Sequence, residues 1–354
     1  MLDQADIEEI KKVFNFYDVK EEGQADVLYG EPTTDVNMLY GSLYNYFSPK
    51  KKVVALERRR GEIALVVKNA KADNIWINVA LAVATLITTT LVGAMMYGVD
   101  IFKDPQLSYM GLPFALAIML VLGSHELGHY IVSRKNGIDA TLPYFIPFPI
   151  PPIGTMGAII RQKGPVPSRK ALFDVGISGP LVGLTVAIIV TAIGLMLPAP
   201  VITAQPGDMT YFQIQTPLLF DLIAGIVHPG ISLQSINPIA FAGWVGMLVT
   251  VLNMLPIGQL DGGHVARAIL GRWSDTLSKI LPFLILFFGV YSTFVMGMPG
   301  EMWIFWGLLT YVMGSGEHPK PLDDNARIGM LRAAIAVVGF GLTILCFTPF
   351  PIAT

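Results

Sequence analysis

The sequence HELGH at residues 125–129 lies inside an apolar stretch of chain that runs from 111 to about 133. A stretch of this length can cross a bilayer as a single helix. On a helix, histidines four residues apart point the same way and can bind one zinc ion, with the glutamate beside them placed to take a proton from water. Ionisable side chains are costly inside a membrane, and one found there indicates a functional site.

The composition agrees with a membrane protein. Charged residues make up 14% of the chain and the mean hydropathy is +0.57, whereas a soluble domain carries roughly 25% charged residues. The single cysteine, Cys346, excludes an intrachain disulfide and a thiolate-rich metal cluster, so metal ligands must be His, Asp or Glu. A net charge of -2 gives no indication of a nucleic-acid partner. We therefore predict an all-α polytopic membrane protein.

Apolar runs of membrane-spanning or nearly spanning length recur along the chain. The sixth run is short for a bilayer that needs about 20 residues of helix, so the sequence predicts six to seven transmembrane helices. The predicted spans are 76–98, 112–133, 171–197, 238–258, 277–297, 301–315 and 328–349.

The distribution of positive charge predicts the orientation. With seven spans, 23 of the 24 Lys and Arg residues fall on the side of the N-terminus, and only Lys103 falls on the other. The positive-inside rule then places the N-terminus in the cytoplasm and the C-terminus outside. We predict an integral membrane protein of the cell membrane.

Residues 1–73 form the only sizeable polar segment and are predicted to be a small cytoplasmic α+β domain. Apolar residues at helical spacing from Ile7 to Phe14 predict an amphipathic helix of about four turns. Two apolar runs, 53–56 and 63–67, flank an Arg-rich turn at Gly61 and predict a β-hairpin. Residues 74–354 then form the transmembrane domain, with a catalytic core at about 112–270.

The connection 140–168 is too apolar for a free loop, and its prolines forbid a continuous helix. Residues 154–160 read as an extended strand in which Gly154 and Gly157 permit close approach of the backbone. We interpret the connection as a re-entrant β-hairpin, which is allowed at membrane depth only where protein or an aqueous cavity satisfies the backbone.

A zinc site with a catalytic water needs a third protein ligand. His228 lies in the outer connection and His318 in a polar cytoplasmic loop. Asp261 and His264 remain, at the cytoplasmic end of the fourth span, where prolines and glycines interrupt the helix. The residues alone leave the choice between these two open.

Four motifs together resemble the site-2 protease family of intramembrane zinc metalloproteases. The resemblance is firm over roughly 76–270, and the branch it matches has a soluble N-terminal domain and no PDZ-like or CBS-like insertion. The motifs are HELGH, the strand at Gly154–Gly157, Ser178-Gly179-Pro180, and N-x-x-P-x-x-x-x-D-G from Asn253 to Gly262.

The resemblance implies one Zn2+ per chain held by His125, His129 and Asp261. It implies that Glu126 is the general base and acid and that Asn253 holds substrate or stabilises the oxyanion. The implied activity is hydrolysis of a peptide bond within or near the transmembrane helix of a single-span membrane protein, in contact with membrane lipid.

A transmembrane substrate must unwind before its carbonyls can be attacked. We hypothesise that the strand of Gly154, Thr155, Met156 and Gly157 binds the unwound segment as an added β-strand. Ser178-Gly179-Pro180 and Asp174 are interpreted as packing and kink elements outside the site. Two other function classes stay open: a catalytically silent homologue that binds a membrane partner, and a zinc transporter.

Overall fold

The computed structural model describes residues 2–23, 25–59, 61–69, 74–163, 165–199, 213–230, 236–314 and 321–353. The structure is 60% helical, with a small sheet near the N-terminus and four helices apolar and long enough to cross a membrane. At this level the predicted fold class is confirmed.

The N-terminal part of the chain is a four-stranded antiparallel sheet with two helices. The strand order is β1-β2-β4-β3, and Leu28, Leu39 and Leu65 are fully buried between the sheet and the helices. The hairpin expected around Gly61 is present as β3–β4. The elements are α1 (Gln4–Lys11), β1 (Phe14–Glu22), β2 (Ala25–Pro32), α2 (Val36–Phe47), β3 (Lys52–Arg59) and β4 (Glu62–Asn69).

The first helix is shorter than the apolar spacing predicts. It spans 8 residues, begins with a capping box between Asp3 and Asp6, and ends at Lys11. Val13 and Phe14, which extend the helical pattern, instead lead into β1, where Phe14 is fully buried. The prediction of four turns was wrong because tertiary burial of Phe14 in the sheet overrides its helical spacing.

Seven of the remaining helices in the described part of the chain overlap the predicted spans, and two short helices, Leu218–Val227 and Asp261–Leu270, fall outside them. Four candidate spans meet the length and hydropathy of a membrane helix: α3, α4 with the preceding 3-10 turn (Pro105–Gly111), α5 and α9. The number of spans therefore stays a prediction beyond these four. The helices are α3 (Ile75–Met96), α4 (Leu112–Lys135), α5 (Arg169–Met196), α6 (Leu218–Val227), α7 (Pro238–Asn253), α8 (Asp261–Leu270), α9 (Trp273–Phe294), α10 (Glu301–Gly314) and α11 (Met330–Cys346).

Short strands fill the connections. The connection between α4 and α5 carries two antiparallel pairs, an inner hairpin β6–β7 closed at its base by β5–β8. Whether this hairpin is re-entrant stays a prediction. The strands are β5 (Asp139–Ala140), β6 (Tyr144–Pro147), β7 (Thr155–Ile159), β8 (Gln162–Lys163), β9 (Gln213–Ile214) and β10 (Ile352–Ala353).

Close helix packing positions the site. A Cβ atom on Gly194 of α5 would lie 2.1 Å from the amide nitrogen of Ala240 on α7, and one on Gly246 of α7 would lie 2.5 Å from Cγ1 of Val121 on α4. Small residues let helix backbones approach to such distances, which is typical of helix contacts in membranes. Helices α4, α5 and α7 are thereby held against one another around the motif residues.

Candidate active site

Helix α4 places the two motif histidines side by side. His125 and His129 lie one turn apart with their Nε2 atoms 3.2 Å from each other. Both side chains are buried, at 4% and 6% exposure. Their spacing on one helix produces this geometry, because residues four apart lie on the same face.

Asp261 reaches the histidine pair from a different helix. Its Oδ2 atom lies 3.2 Å from Nε2 of His125 and 3.2 Å from Nε2 of His129. Asp261 is the first residue of α8, which follows a tight turn after α7. A Cβ on Gly262 would lie 2.1 Å from the carbonyl oxygen of Met254, so the turn requires glycine directly after the aspartate.

Three of the four candidates for the third ligand lie in the described part of the chain, and among these three only Asp261 joins the histidine pair. Among the residues that the structure describes, His125, His129 and Asp261 form a group whose ligand atoms all lie within 4.8 Å of one another. His264 instead packs against α5, where a Cβ on Gly176 would lie 2.9 Å from the Cβ of His264. His228 is the residue after α6 and is not a member of the group. His318 lies outside the described residues.

The ligand triangle fits zinc. Its three edges are each 3.2 Å, and neighbouring ligand atoms of a tetrahedral zinc site with bonds near 2.0–2.1 Å lie about 3.3 Å apart. Two imidazole nitrogens and one carboxylate oxygen are also a ligand set typical of catalytic zinc, which keeps one position for water or substrate.

The backbone of α5 orients one of these ligands. Nδ1 of His129 donates a hydrogen bond to the carbonyl oxygen of Val175 at 2.8 Å. Because a carbonyl only accepts, Nδ1 carries the proton and the lone pair of Nε2 points into the triangle. The hydroxyl of Ser178 donates to the same carbonyl, also at 2.8 Å.

Glycines of α5 make room for the histidine rings. A Cβ on Gly179 would lie 2.0 Å from Nε2 of His129, and one on Gly183 would lie 2.9 Å from Cβ of His125. Sequence reasoning assigned Ser178-Gly179-Pro180 to packing and did not connect it to the histidines. The signal that could have made the connection is the spacing of Gly176, Gly179 and Gly183, which lie along one face of a predicted span.

Glu126 faces the hairpin between α4 and α5. Its Oε2 atom accepts a hydrogen bond of 2.9 Å from the backbone amide of Ile160, just beyond β7. The side-chain amide of Asn253, at the end of α7, lies 3.2 Å from Nε2 of His125. Asn253 thus borders the triangle from the end of α7, and Glu126 connects α4 to the hairpin. The contact of Ile160 with Glu126 was not anticipated from sequence.

The four hairpin residues proposed to bind substrate have two different environments. Gly154 packs on α3, where its carbonyl accepts from the Thr88 hydroxyl at 2.8 Å, and the buried Thr155 hydroxyl donates to the Ile146 carbonyl at 2.8 Å. Met156 is 65% exposed, and a Cβ on Gly157 would meet no atom within 4 Å. The first two residues hold the hairpin, and the other two present an open surface.

Comparison with known proteins identifies the family. A family model described as Peptidase family M50 matches residues 113–296, which is more than half of the chain. The chain belongs to peptidase family M50. This is the site-2 protease family that the sequence motifs resemble, so the resemblance is confirmed.

Several plant proteins are similar to this M50 chain. It is 30% identical over 255 residues to the probable zinc metalloprotease EGY2, chloroplastic, of Arabidopsis thaliana, a match covering 71% of this chain and 44% of the relative. It is 28% identical over 244 residues to the probable zinc metalloprotease EGY1, chloroplastic, of Oryza sativa subsp. japonica, covering 67% of this chain and 40% of the relative. The chain thus spans less than half the length of these two relatives.

Among solved structures, the site-2 protease from Methanocaldococcus jannaschii is similar at a TM-score of 0.32 and 19% identity, over 63% of this chain and 86% of that one. The M50 family and its zinc metalloprotease relatives make this chain a homologue of membrane zinc metalloproteases. With its four long apolar helices, it is an integral membrane protein. The cell membrane and the cytoplasmic N-terminus stay predictions.

Proposed function

We propose that this M50 protein is an intramembrane zinc endopeptidase that cleaves a single-span membrane protein within or near its transmembrane helix. The observation that carries the proposal is the equilateral ligand triangle of His125, His129 and Asp261 with Glu126 beside it. Three ligands on buried helices and one adjacent carboxylate are the parts that metal-assisted peptide hydrolysis needs.

The three ligands would hold one zinc per chain. When bound, zinc supplies a Lewis acid for the scissile carbonyl and lowers the pKa of water toward about 7. Glu126 takes the proton of the attacking water and later gives it to the leaving amine. The Ile160 amide holds one oxygen of the Glu126 carboxylate, which restricts rotation of the group and leaves the other oxygen for proton transfer.

Asn253 would act on the substrate carbonyl. Its amide lies next to His125, at the border of the ligand triangle. A side-chain amide at this place can donate a hydrogen bond to an oxygen on which negative charge develops during attack. The role assigned by the resemblance is therefore compatible with the position of the side chain.

The hairpin offers a place for the unwound substrate. Backbone amides along a strand point alternately to its two edges. The Ile160 amide points to Glu126, so this alternation predicts that the Ala158 amide lies on the same edge. A substrate segment that paired with this edge would extend past Glu126, next to the open surface of Met156 and Gly157. This arrangement supports binding by strand addition.

The membrane arrangement is part of the proposal. With the N-terminus in the cytoplasm, residues 1–73 form a cytoplasmic domain, residues 74–354 form the membrane domain in contact with lipid, and water reaches the site from the cytoplasmic side. This orientation is inferred from the distribution of Lys and Arg residues along the chain.

The deciding experiment uses the purified full chain in lipid vesicles with a single-span protein as substrate. We expect about one zinc per chain and specific cleavage, and we expect Glu126→Gln to retain zinc while cleavage falls by at least about a hundredfold. Zinc binding without cleavage by the unsubstituted protein would favour a partner-binding homologue. Zinc flux into the vesicles would favour a transporter.

A further inference from the structure

A segment near the C-terminus, residues 321–346, contacts two helices that border the proposed metal site, α5 and α8. We call residues 321–346, which include α11, the C-terminal strap. The strap lies beyond the M50 match, which ends at residue 296. Its role does not follow from the family assignment.

The strap begins as an extended segment on the start of α5. The amides of Leu322 and Asp323 donate to the carbonyls of Val166 and Pro167 at 3.1 and 3.0 Å, and the amide of Arg169 donates back to Asp323 at 3.1 Å. The segment therefore runs parallel to the residues that lead into α5.

The strap pairs with α5 through a bidentate ion pair. Nε of Arg332 lies 2.7 Å from Oδ1 of Asp174, and Nη2 lies 2.8 Å from Oδ2. Two parallel hydrogen bonds fix the relative orientation of both groups. Asp174 immediately precedes Val175, whose carbonyl holds Nδ1 of His129. The ion pair thus anchors α5 at the turn that orients a metal ligand.

The strap also pairs with α8. Nη2 of Arg267 donates to Oδ2 of Asp324 at 2.8 Å, and Arg267 is only 3% exposed. Arg267 lies on the same ten-residue helix as Asp261, six residues later. Arg169, at the start of α5, donates to the Ala268 carbonyl at 2.6 and 3.0 Å and so links the far end of α8 to α5.

Apolar contacts complete the attachment. Ala336 on α11 is buried in a cluster with Ile177 of α5 and Met254, which follows α7. A Cβ on Gly339 would lie 2.8 Å from Cδ1 of Ile177 and 3.8 Å from Cε of Met254. The strap therefore packs tightly against three elements that surround the ligand triangle.

We propose that the C-terminal strap is a clamp that sets the separation of α5 and α8 and thereby the affinity of the site for zinc. The proposal rests on the proposed function only in taking the triangle as a zinc site. Arg332 and Arg267 are positioning residues: the first acts on His129 through Val175, and the second acts on Asp261 through α8. Metal sites need ligand distances within about 0.2 Å, and groups that orient ligands change metal affinity by about ten- to hundredfold when removed.

The test is the zinc dissociation constant of the purified full chain, measured by competition with a chelator. We expect Arg332→Gln to weaken zinc binding about tenfold or more, and the charge exchange Asp174→Arg with Arg332→Asp to restore part of the loss. The control is Arg59→Gln, which breaks ion pairs with Glu22 and Glu57 in the N-terminal sheet and should leave the dissociation constant unchanged. The absorption spectrum of the Co2+-loaded protein gives a second readout, because it reports coordination geometry directly.

A merely structural ion pair would give a different result. Arg332→Gln would then lower the unfolding temperature of the metal-free protein while the folded fraction bound zinc with unchanged affinity and an unchanged Co2+ spectrum, and that result would overturn the proposal. If Arg332→Gln does not fold, Asp324→Asn serves instead, since this half-exposed partner of Arg267 can lose its charge without losing its shape. A zinc dissociation constant within twofold of the unsubstituted value in Asp324→Asn would likewise overturn it.

These outcomes are separate from those that decide the peptidase assignment. An unsubstituted chain that binds zinc but does not cleave removes the endopeptidase proposal and leaves the clamp to be judged by the dissociation constants. An unsubstituted chain that binds no zinc overturns both.

Discussion

The N-terminal sheet and the metal-bearing helices are held together in different ways. In the N-terminal part, α2 buries whole apolar side chains such as Leu39 and Phe47 in one cluster with residues of β2, β3 and β4. At the metal-bearing helices, the backbone lies directly against a ligand side chain, as between Gly179 and the ring of His129. Side chains in an apolar core can repack after a substitution, whereas a backbone that touches a ligand leaves no space for adjustment.

The two regions also differ in the exposure of their paired polar groups. Asp6 in the sheet region is paired with Lys50 and Lys52, each at 2.6 Å, and these lysine side chains are partly exposed. His129 is paired with the carbonyl of Val175 and with Asp261 in a buried site. Tolerance to substitution should therefore fall from the sheet to the helices.

The largest effect is expected at Gly179. In Gly179→Ala the methyl group would occupy the position of the His129 ring, since its Cβ would lie 2.0 Å from Nε2. The ring cannot move aside without losing its bond to Val175 on the same helix. We expect zinc affinity to fall by at least about a hundredfold and cleavage to be lost, as measured by chelator competition and by assay of a single-span substrate.

The matched control is Gly225→Ala. Gly225 is also in an apolar helix, α6, but a Cβ there would meet no atom within 4 Å. Alanine favours helix over glycine by about 1 kcal/mol, so this variant should fold at least as well and bind zinc normally. If Gly179→Ala bound zinc with unchanged affinity, the metal-bearing helices would tolerate substitution as well as the N-terminal sheet does, and the proposed difference between the two regions would be wrong.

An intermediate effect on cleavage is expected at the hairpin β6–β7, which contacts the metal-bearing helix α4 through Ile160 and Glu126. Ala158→Pro removes the backbone amide that we propose donates to a carbonyl of the bound substrate. That substrate carbonyl would then be buried without a hydrogen bond, which weakens substrate binding by about 1–3 kcal/mol. We expect about ten- to hundredfold slower cleavage with unchanged zinc content. Ala158→Ser, which keeps the amide, should cleave normally. Undiminished cleavage by Ala158→Pro would reject binding by strand addition.

The sequence contained the parts of the site that lie within local motifs. The histidine pair and Glu126 follow from helical spacing, and Asp261 was one of two remaining candidates until the family resemblance favoured it. The site residues that sequence reasoning missed act through their backbones or through the absence of a side chain. The carbonyl of Val175 and the amide of Ile160 are of this kind, and neither leaves a signature in residue type.

Ion pairs between residues far apart in the chain could not be predicted from the sequence either. Arg332 and Asp174 are 158 residues apart in the sequence, and nothing in either local pattern points to the other. In the N-terminal part the hairpin at Gly61 was predicted from two apolar runs that flank an Arg-rich turn, but the helix over residues 4–11 was predicted too long because Phe14 fits both a helical and a strand pattern. Three helices near the predicted fourth, sixth and seventh spans have 16, 14 and 17 residues, which composition alone cannot assign as spanning or not.

The smallest effect is expected in the sheet region, at Asp6. Burial alone would raise the pKa of Asp6, but hydrogen bonds from Lys50 and Lys52 outweigh burial and lower it from 3.8 to about 2. A carboxyl group with a lowered folded-state pKa stabilises the fold above its unfolded pKa and loses this contribution as the pH falls toward the folded pKa. We expect Asp6→Asn to lower the opening free energy of the sheet by about 1 kcal/mol at pH 7, after screening at the partly exposed lysines.

Hydrogen exchange of amides in residues 4–69 of the full chain measures this effect. The difference between Asp6→Asn and the unsubstituted protein should shrink to about half between pH 7 and pH 3, because Asp6 of the opened state takes up a proton near its ordinary pKa of 3.8 while Asp6 in the folded sheet, with a pKa of about 2, stays mostly ionised. Glu9→Gln, which breaks an exposed pair with Lys12, should leave exchange unchanged. Zinc affinity should be unaffected by either variant at pH 7. If Asp6→Asn weakened zinc binding as strongly as Gly179→Ala, the two regions would be coupled, and the difference in tolerance drawn between them would not hold.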